Sequence, residues 1–302
     1  MKAVVMHEYG GPDVLKYEEW DDPQTGGGQI LIRVTAAGIN PIDWKLRSGA
    51  MKTFMPLELP AILGYDYSGV VLSIGKGVEG YAEGDKVFGR AGKTYAEFLL
   101  ADIAGLSKLP KGLDPIEAAA LPVVLNTGDQ LIVQFGKVQR GQTVVISGAL
   151  GSVGRTAVWV AKKLGAHVIA GVRGSQKKAA EELGADALLA LDSRQEMDSL
   201  GLVDVVADTI GGNVGEALMA KVKPGGTYAS VVGPPPNANL HPAVKVEAFG
   251  SHPDAASMRS LAEDIANGKF KIPVDRTMPL ADAAKAHAEA EKGGIGKVLL
   301  LA

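Results

Sequence analysis

The run Val144-Val145-Ile146-Ser147-Gly148-Ala149-Leu150-Gly151-Ser152-Val153-Gly154 is the part of this chain whose residue types and spacing restrict the chemistry most narrowly. A continuous β-branched stretch ends in a turn of small residues. Apolar residues at 153, 157, 160, 161 and 164 then follow at helical spacing, with Gly165 standing where a C-terminal cap belongs. Small residues at Gly148, Ala149, Gly151 and Gly154 let the backbone approach a pyrophosphate. The free amides and positive dipole end of a helix opening at Ser152 and Val153 would stabilise its charge. A second strand, expected over His167 to Val172, completes the strand, loop, helix, strand order that a dinucleotide fingerprint requires. The alternative is a tight strand-to-helix turn with no ligand, and it leaves that agreement between elements unexplained.

The end of the second strand selects the nucleotide, because an acid about 20 residues beyond the loop accepts from the ribose hydroxyls in NAD-binding proteins. Here the stretch reads Gly171-Val172-Arg173-Gly174-Ser175-Gln176-Lys177-Lys178, with no acid. A cation and a hydroxyl at this place favour a 2′-phosphate, and so NADPH. Arg173 can lie over the adenine or fork onto phosphate oxygens, and Ser175 and Lys178 add donors. Each of the two lysines also has a plain alternative as a solvated residue on a surface helix. Asp208-Thr209-Ile210-Gly211-Gly212 and Val232-Gly233 follow later strands, so Thr209, Val232 and Gly233 fall on the carboxyl edge where ligands bind in parallel sheets.

These groups need a scaffold, and the apolar pattern supplies one. Before residue 101, short apolar runs alternate with Gly- and Pro-rich turns: Ala3 to His7, Val14 to Trp20, Ile30 to Ala36, Gly69 to Ile74, Lys86 to Gly89 and Tyr95 to Leu100. From about Gly141 strands and helices alternate. Strands are expected at Leu188, Val203 to Ala207, Thr227 to Val232 and Val244 to Phe249, and helices at Gln176 to Leu183, Gly215 to Val222 and Ala255 to Ala266. This is the pattern of a doubly wound parallel sheet. Strands at Val274 to Met278 and Lys297 to Leu301, around a helix at Ala281 to Glu291, suggest a tail that folds back on the first domain.

Composition removes other readings. The 302 residues hold 39 glycines and no cysteine, which excludes a disulfide framework, a thiolate nucleophile and a cysteine-ligated zinc. With 31 basic and 34 acidic residues, nothing concentrates the protein on nucleic acid or an anionic membrane. No run reaches the ~18 apolar residues of a spanning helix, so a cytoplasmic protein is expected. The five histidines show no metal spacing, and hydrogen-bonded or solvated side chains are expected for them.

Further blocks carry a family likeness: Ala37-Gly38-Ile39-Asn40-Pro41-Ile42-Asp43-Trp44-Lys45, then Gly64-Tyr65-Asp66-Tyr67-Ser68-Gly69, Gly84-Asp85-Lys86-Val87-Phe88, Ala118-Ala119-Ala120-Leu121-Pro122 and Gly296-Lys297-Val298. Together with the glycine loop, they resemble the zinc-free branch of the medium-chain dehydrogenase/reductase superfamily, the quinone oxidoreductases and enone (alkenal) reductases. The resemblance implies an α/β protein: a twisted GroES-like β-barrel catalytic domain over 1–121, a Rossmann NADPH-binding domain over 122–267 and a return segment over 268–302. It implies a cleft where NADPH meets substrate, and a homodimer joined through the edge strand at Val244 to Phe249.

The resemblance also assigns residues. In zinc-dependent members a cysteine and a histidine ligand fall where this chain has Asn40 and Tyr65, so no metal is expected, and without that Lewis acid alcohol oxidation gives way to reduction of a conjugated carbonyl. Asn40 is implied near both nicotinamide and substrate; Lys45 is expected either as a cationic or proton donor toward the developing enolate or as a solvated lysine, and Tyr65 either as a hydroxyl in the cleft or as a packed ring with its hydroxyl satisfied. Thr127 is implied near the nicotinamide amide, or else serves as a helix cap. Asp43 is expected to cap or to pair with Arg47, and Asp66 to be structural. Met51, Phe54 and Met55 follow in a loop that either lines an apolar substrate site or joins the core. The implied activity is hydride transfer from NADPH to a quinone or an α,β-unsaturated carbonyl. An enoyl-thioester reductase and a non-catalytic NADPH-binding sensor are the alternatives.

Overall fold

A computed structural model describes residues 1–294 and 296–302. It divides into two compact units, residues 1–123 with 253–302, and residues 124–252.

In the first unit the strand Gln29–Gly38 organises the larger sheet. Ile30, Ile32 and Val34 alternate with more accessible neighbours, as a strand with one face on a core requires. It pairs antiparallel with Asp66–Ile74, with Phe98–Asp102 and with Lys297–Leu301. Sheet order runs 274–279, 297–301, 29–38, 66–74, 86–90, 106–108. A smaller sheet joins Leu15–Glu19, Lys2–Met6 and Ala61–Ile62. The tail pairs into this sheet: Leu299 and Leu300 stand opposite Gly38 and Ala37, and Val298 and Leu300 join the core formed by Val4, Val5, Ile39 and Leu46.

The second unit is a six-stranded parallel sheet in the order 187–190, 167–172, 143–147, 203–208, 222–230, 245–248. The order reverses beside Thr143–Ser147, which places the end of that strand at a topological switch point. Val145, Val206, Leu218 and Tyr228 are buried together on one face of this sheet.

Several boundaries differ from the sequence pattern. Residues Gln176 to Leu183 form no continuous helix; a single α-turn, Lys177–Ala180, lies between the 3-10 turns Gly174–Gln176 and Glu181–Leu183. The helix placed at Gly215 to Val222 runs Gly212–Met219, because Val222 already pairs with Val203. Helices Pro41–Arg47, Pro122–Gln130 and Arg194–Ser199 carry too few apolar repeats to stand out. The helix Ala255–Ala266, expected within the nucleotide-binding domain, belongs to the first unit, where it packs on the strand Leu106–Lys108 and the turn Ile103–Gly105. Met258, Leu261 and Ala262 are the buried residues that hold it.

Candidate functional site

In the second unit, Thr143–Ser147 delivers the chain into the glycine loop and helix Ser152–Lys163 leaves it. Gly148 has φ +64, and a Cβ there would lie 2.5 Å from the Thr209 hydroxyl. At Gly154 a Cβ would lie 2.2 Å from the Gly148 carbonyl oxygen, so only glycine lets the helix sit this close to the loop. Gly151 caps the helix without a side-chain bond. The amides of Ser152, Val153 and Gly154 have no carbonyl one turn earlier to receive them, which leaves three oriented donors at the positive end of the helix. The cradle fits a pyrophosphate.

Around it the carboxyl edge is braced by one fully buried acid. Asp208 Oδ1 accepts from the Ser147 hydroxyl at 2.7 Å and from the amides of Ile210 and Gly211, each at 3.0 Å. Thr209 donates its amide to Ser147 Oγ and its hydroxyl to the Ser147 carbonyl, so its hydroxyl proton serves the turn. Val232 is exposed, and Gly233 has φ +108.

Arg173, Ser175 and Lys178 are exposed beyond the second strand, whereas Lys177 is held by Glu196 at 2.6 Å. An acid does reach this turn from outside the sequence window: Asp192 accepts from the Gly174 amide at 2.7 Å. Thr127 lies within the helix Pro122–Gln130, not at its cap, and its hydroxyl donates to Ser251 Oγ at 2.8 Å.

The first unit gathers a buried knot of polar side chains around Asn40. Strand Gln29–Gly38 ends just before it and Pro41 opens a short helix after it; Asp43, in that helix, accepts from the Asn40 amide at 2.7 Å. The Asn40 side chain turns the other way. Its Nδ2 donates to Asp66 Oδ2 at 2.7 Å, and its Oδ1 accepts from Lys297 Nζ at 2.6 Å. Lys297 also donates to the Ile39 carbonyl at 2.8 Å, and Asp66 Oδ1 accepts from the Val123 amide at 2.7 Å. Burial pushes Asp66 up and Lys297 down, and the attraction between them opposes both shifts.

Asp43 does not pair with Arg47. Its Oδ2 accepts from Tyr95 Oη at 2.9 Å, while its buried Oδ1 has no hydrogen-bond partner among the described residues. Burial pushes this carboxyl up to about 7, although the Asn40 amide and Tyr95 pull it back. Arg47 instead reaches Glu291 at 2.6 Å and donates to His287 Nδ1 at 3.1 Å. That bond makes Nδ1 an acceptor, so the ring proton sits on Nε2, which donates to Tyr95 Oη at 3.2 Å. Burial and the Arg47 charge lower His287 to about 3, which keeps it neutral.

Of the residues expected to meet a substrate, Asn40 is 1% exposed with one bond at Oδ1 and one at Nδ2, whereas Tyr65 and Lys45 are half-buried. Arg90 lies with its guanidinium carbon 5.8 Å from the centre of the Tyr65 ring. Burial and the Asp43 charge raise the Tyr65 phenol, so it keeps its proton. Phe54 is 80% exposed and Met55 41%. The sequence reading missed Arg90, Tyr95 and His287, which have no motif of their own, and named Lys297 only as part of a closing motif.

The chain has no cysteine, no three His, Asp or Glu side chains gather to hold a metal among the described residues, and an ammonium already occupies the oxygen of Asn40.

The two units thus define a dinucleotide-fold protein with a GroES-like sheet domain. Residues 26–111 match the alcohol dehydrogenase GroES-like domain family, and residues 183–300 match the family described as zinc-binding dehydrogenase. The chain is similar to relatives of the medium-chain dehydrogenase/reductase superfamily that are named as quinone oxidoreductases and alkenal/one reductases. It is 33% identical over 248 residues to the NADPH-dependent alkenal/one oxidoreductase of Arabidopsis thaliana, across 77% of this chain and 63% of that protein. The chain therefore spans less than two thirds of the first curated relatives it matches. The quinone oxidoreductase of Coxiella burnetii superposes with a TM-score of 0.89 at 28% identity, over 100% of this chain and 99% of that one. The Escherichia coli quinone oxidoreductase, solved in complex with NADPH, gives 0.87 at 25% identity over 100% of both chains. No helix among the described residues is long and apolar enough to cross a membrane.

Proposed function

We propose that the chain is an NADPH-dependent, zinc-independent oxidoreductase that passes hydride to a quinone or an α,β-unsaturated carbonyl. The observation that carries this reading is the glycine cradle, with three oriented helix amides over a loop that admits no Cβ at Gly148 or Gly154. The names of the relatives support the cofactor and the acceptor class. Gly148, Ala149, Gly151, Ser152, Val153 and Gly154 hold the pyrophosphate. Arg173, Ser175 and Lys178 receive the 2′-phosphate, and Thr127, Thr209, Val232 and Gly233 border the rest of the nucleotide.

Bound NADPH supplies the hydride; the protein supplies orientation and charge. Hydride addition to a conjugated carbon leaves negative charge on the carbonyl oxygen, where fixed donors matter most. Tyr65, held protonated, offers its hydroxyl to that oxygen. Lys45, half-buried on the helix Pro41–Arg47, offers a cation to the developing enolate, and Asn40 offers its remaining amide proton. Phe54 and Met55 present apolar surface to a non-polar acceptor. The protein works as a homodimer joined through the strand Lys245–Ala248, the outermost of the parallel sheet.

The test measures NADPH oxidation with 9,10-phenanthrenequinone, 1,4-benzoquinone and an alkyl vinyl ketone, with NADPH binding followed in parallel. Turnover of one or more acceptors is expected. Tight NADPH binding without oxidation by any of them defeats the reductase reading in favour of a nucleotide sensor.

A further inference from the structure

We propose that Lys297 is a positioning residue: it fixes the Asn40 carboxamide so that an N–H bond, and not the carbonyl oxygen, is what Asn40 presents to a reacting oxygen. This rests on the reductase reading for its chemical use and on the geometry alone for its structural content.

An asparagine amide has nearly the same shape in both flips, so its neighbours decide which end faces a ligand. The ammonium of Lys297 can only donate, and it meets Asn40 Oδ1 at 2.6 Å. An ionised Asp66 can only accept, and it meets Asn40 Nδ2 at 2.7 Å. The opposite flip would set two acceptors against each other on one side and two donors on the other. Neither neighbour is free to adapt. Asp66 Oδ1 is held by the Val123 amide. Lys297 is held by its bond to the Ile39 carbonyl and by the pairing of its strand with Gln29–Gly38, where the Ile39 amide donates to the Val298 carbonyl at 3.1 Å.

Nor is Lys297 simply the counter-ion of Asp66. Its nitrogen lies 3.6 Å from Asp66 Oδ2, an ångström farther than from Asn40 Oδ1, so the shortest bond goes to the amide. One Asn40 Nδ2 proton is used by Asp66; the other has no acceptor among the described residues, and Lys297 and Asp66 jointly fix its direction. Withdrawal of electron density from Oδ1 by the ammonium strengthens that donor. A reaction that builds negative charge on oxygen uses a donor, and an amide free to flip would present an acceptor part of the time.

The test compares wild type, Lys297→Met and Lys297→Arg by acceptor reduction and by the side-chain amide resonances of Asn40 in nitrogen-15-labelled protein, assigned by their loss in Asn40→Asp. In Lys297→Met, kcat is expected to fall about 30-fold with KM for NADPH within about twofold, since a misplaced donor affects the reaction more than cofactor binding. The Asn40 amide resonances move and exchange faster with water, and Lys297→Arg, which keeps charge and donors, restores both properties. A folded Lys297→Met protein with unmoved Asn40 resonances, or with kcat within about twofold of wild type, overturns the proposal. If Lys297→Met does not fold, wild type decides: Asn40 amide protons protected from exchange support the lock, and free exchange refutes it. Failure of wild type to reduce any acceptor defeats the reductase reading separately, because the amide resonances report on Lys297 without turnover.

Discussion

At residues 148–154 the groups offered to a ligand are main-chain amides on a continuous stretch of chain. Around Asn40 they are side chains bonded across as many as 257 residues, from the turn after strand Gln29–Gly38 to the strand Lys297–Leu301. The loop depends on the absence of side chains, since Gly148 and Gly154 have no room for a Cβ. The knot depends on complementary side chains, each satisfying another. A loop of the first kind is broken by adding atoms; a knot of the second kind is broken by changing protonation or polarity.

The largest effect is therefore expected from Gly154→Val. Its Cβ falls 2.2 Å from the Gly148 carbonyl oxygen and 2.7 Å from Ala149 Cα, both backbone atoms that cannot move aside without shifting the helix. NADPH affinity should drop by more than about 100-fold, with about 3 kcal/mol of stability lost to overpacking. Fluorescence titration and chemical denaturation measure the two; retention of affinity within tenfold would separate the loop from nucleotide binding.

Asp43→Asn tests the knot through its protonation. The Asp43 carboxyl is raised from 3.8 to about 7 by burial, so the native state favours the protonated acid. Its contribution to stability is complete below the unfolded value and is lost as pH rises toward 7, on the order of 3 kcal/mol across that window. A carboxamide at this position cannot ionise, so the variant should lose this decline while keeping bonds to the Asn40 amide and Tyr95. Urea melts at pH 4.5 and 7 measure the difference in slope; parallel slopes would show that Asp43 is not held above its ordinary range.

The smallest effect is expected from Arg173→Ala, at an exposed position where the substitution keeps the main-chain bonds to Gln176. Loss of one phosphate-binding fork should weaken NADPH binding about tenfold and leave NADH unchanged. Asp192, bonded to the Gly174 amide, remains in the variant and so sharpens the contrast between the two nucleotides. An unchanged preference between the two nucleotides removes Arg173 from the 2′-phosphate site.

The same contrast explains what could be read from residues alone. Much of the second unit was legible, because β-branched runs and helical spacing are local properties and the loop announces its backbone needs through glycine. Strand His167–Val172 and helix Ala255–Ala266 have the expected limits, yet the helix belongs to the other unit, since a buried face does not name the surface it meets. Residues Gln176 to Leu183 look helical, but Gln176 accepts the Arg173 amide and the segment tightens into 3-10 turns around four helical residues. In the knot, Asn40, Tyr65 and Asp66 stood in recognisable motifs. His287 did not: nothing near it in sequence shows that Arg47, 240 residues away, fixes its tautomer. Long-range polar contacts leave no period to detect.

The position of strand Lys297–Leu301 bears on how the protein is made. Residues 124–252 are contiguous and can close their parallel sheet as soon as they leave the ribosome, but the first unit lacks both the strand beside Gln29–Gly38 and the Lys297 ammonium until residue 301 has emerged. At bacterial to eukaryotic elongation rates, that leaves the unfinished unit waiting roughly 10–40 s after residue 123 is added. Throughout that interval an apolar strand edge stands open and Asp66 has no ammonium beside it, so the nascent chain is most exposed to aggregation in the half that it began first.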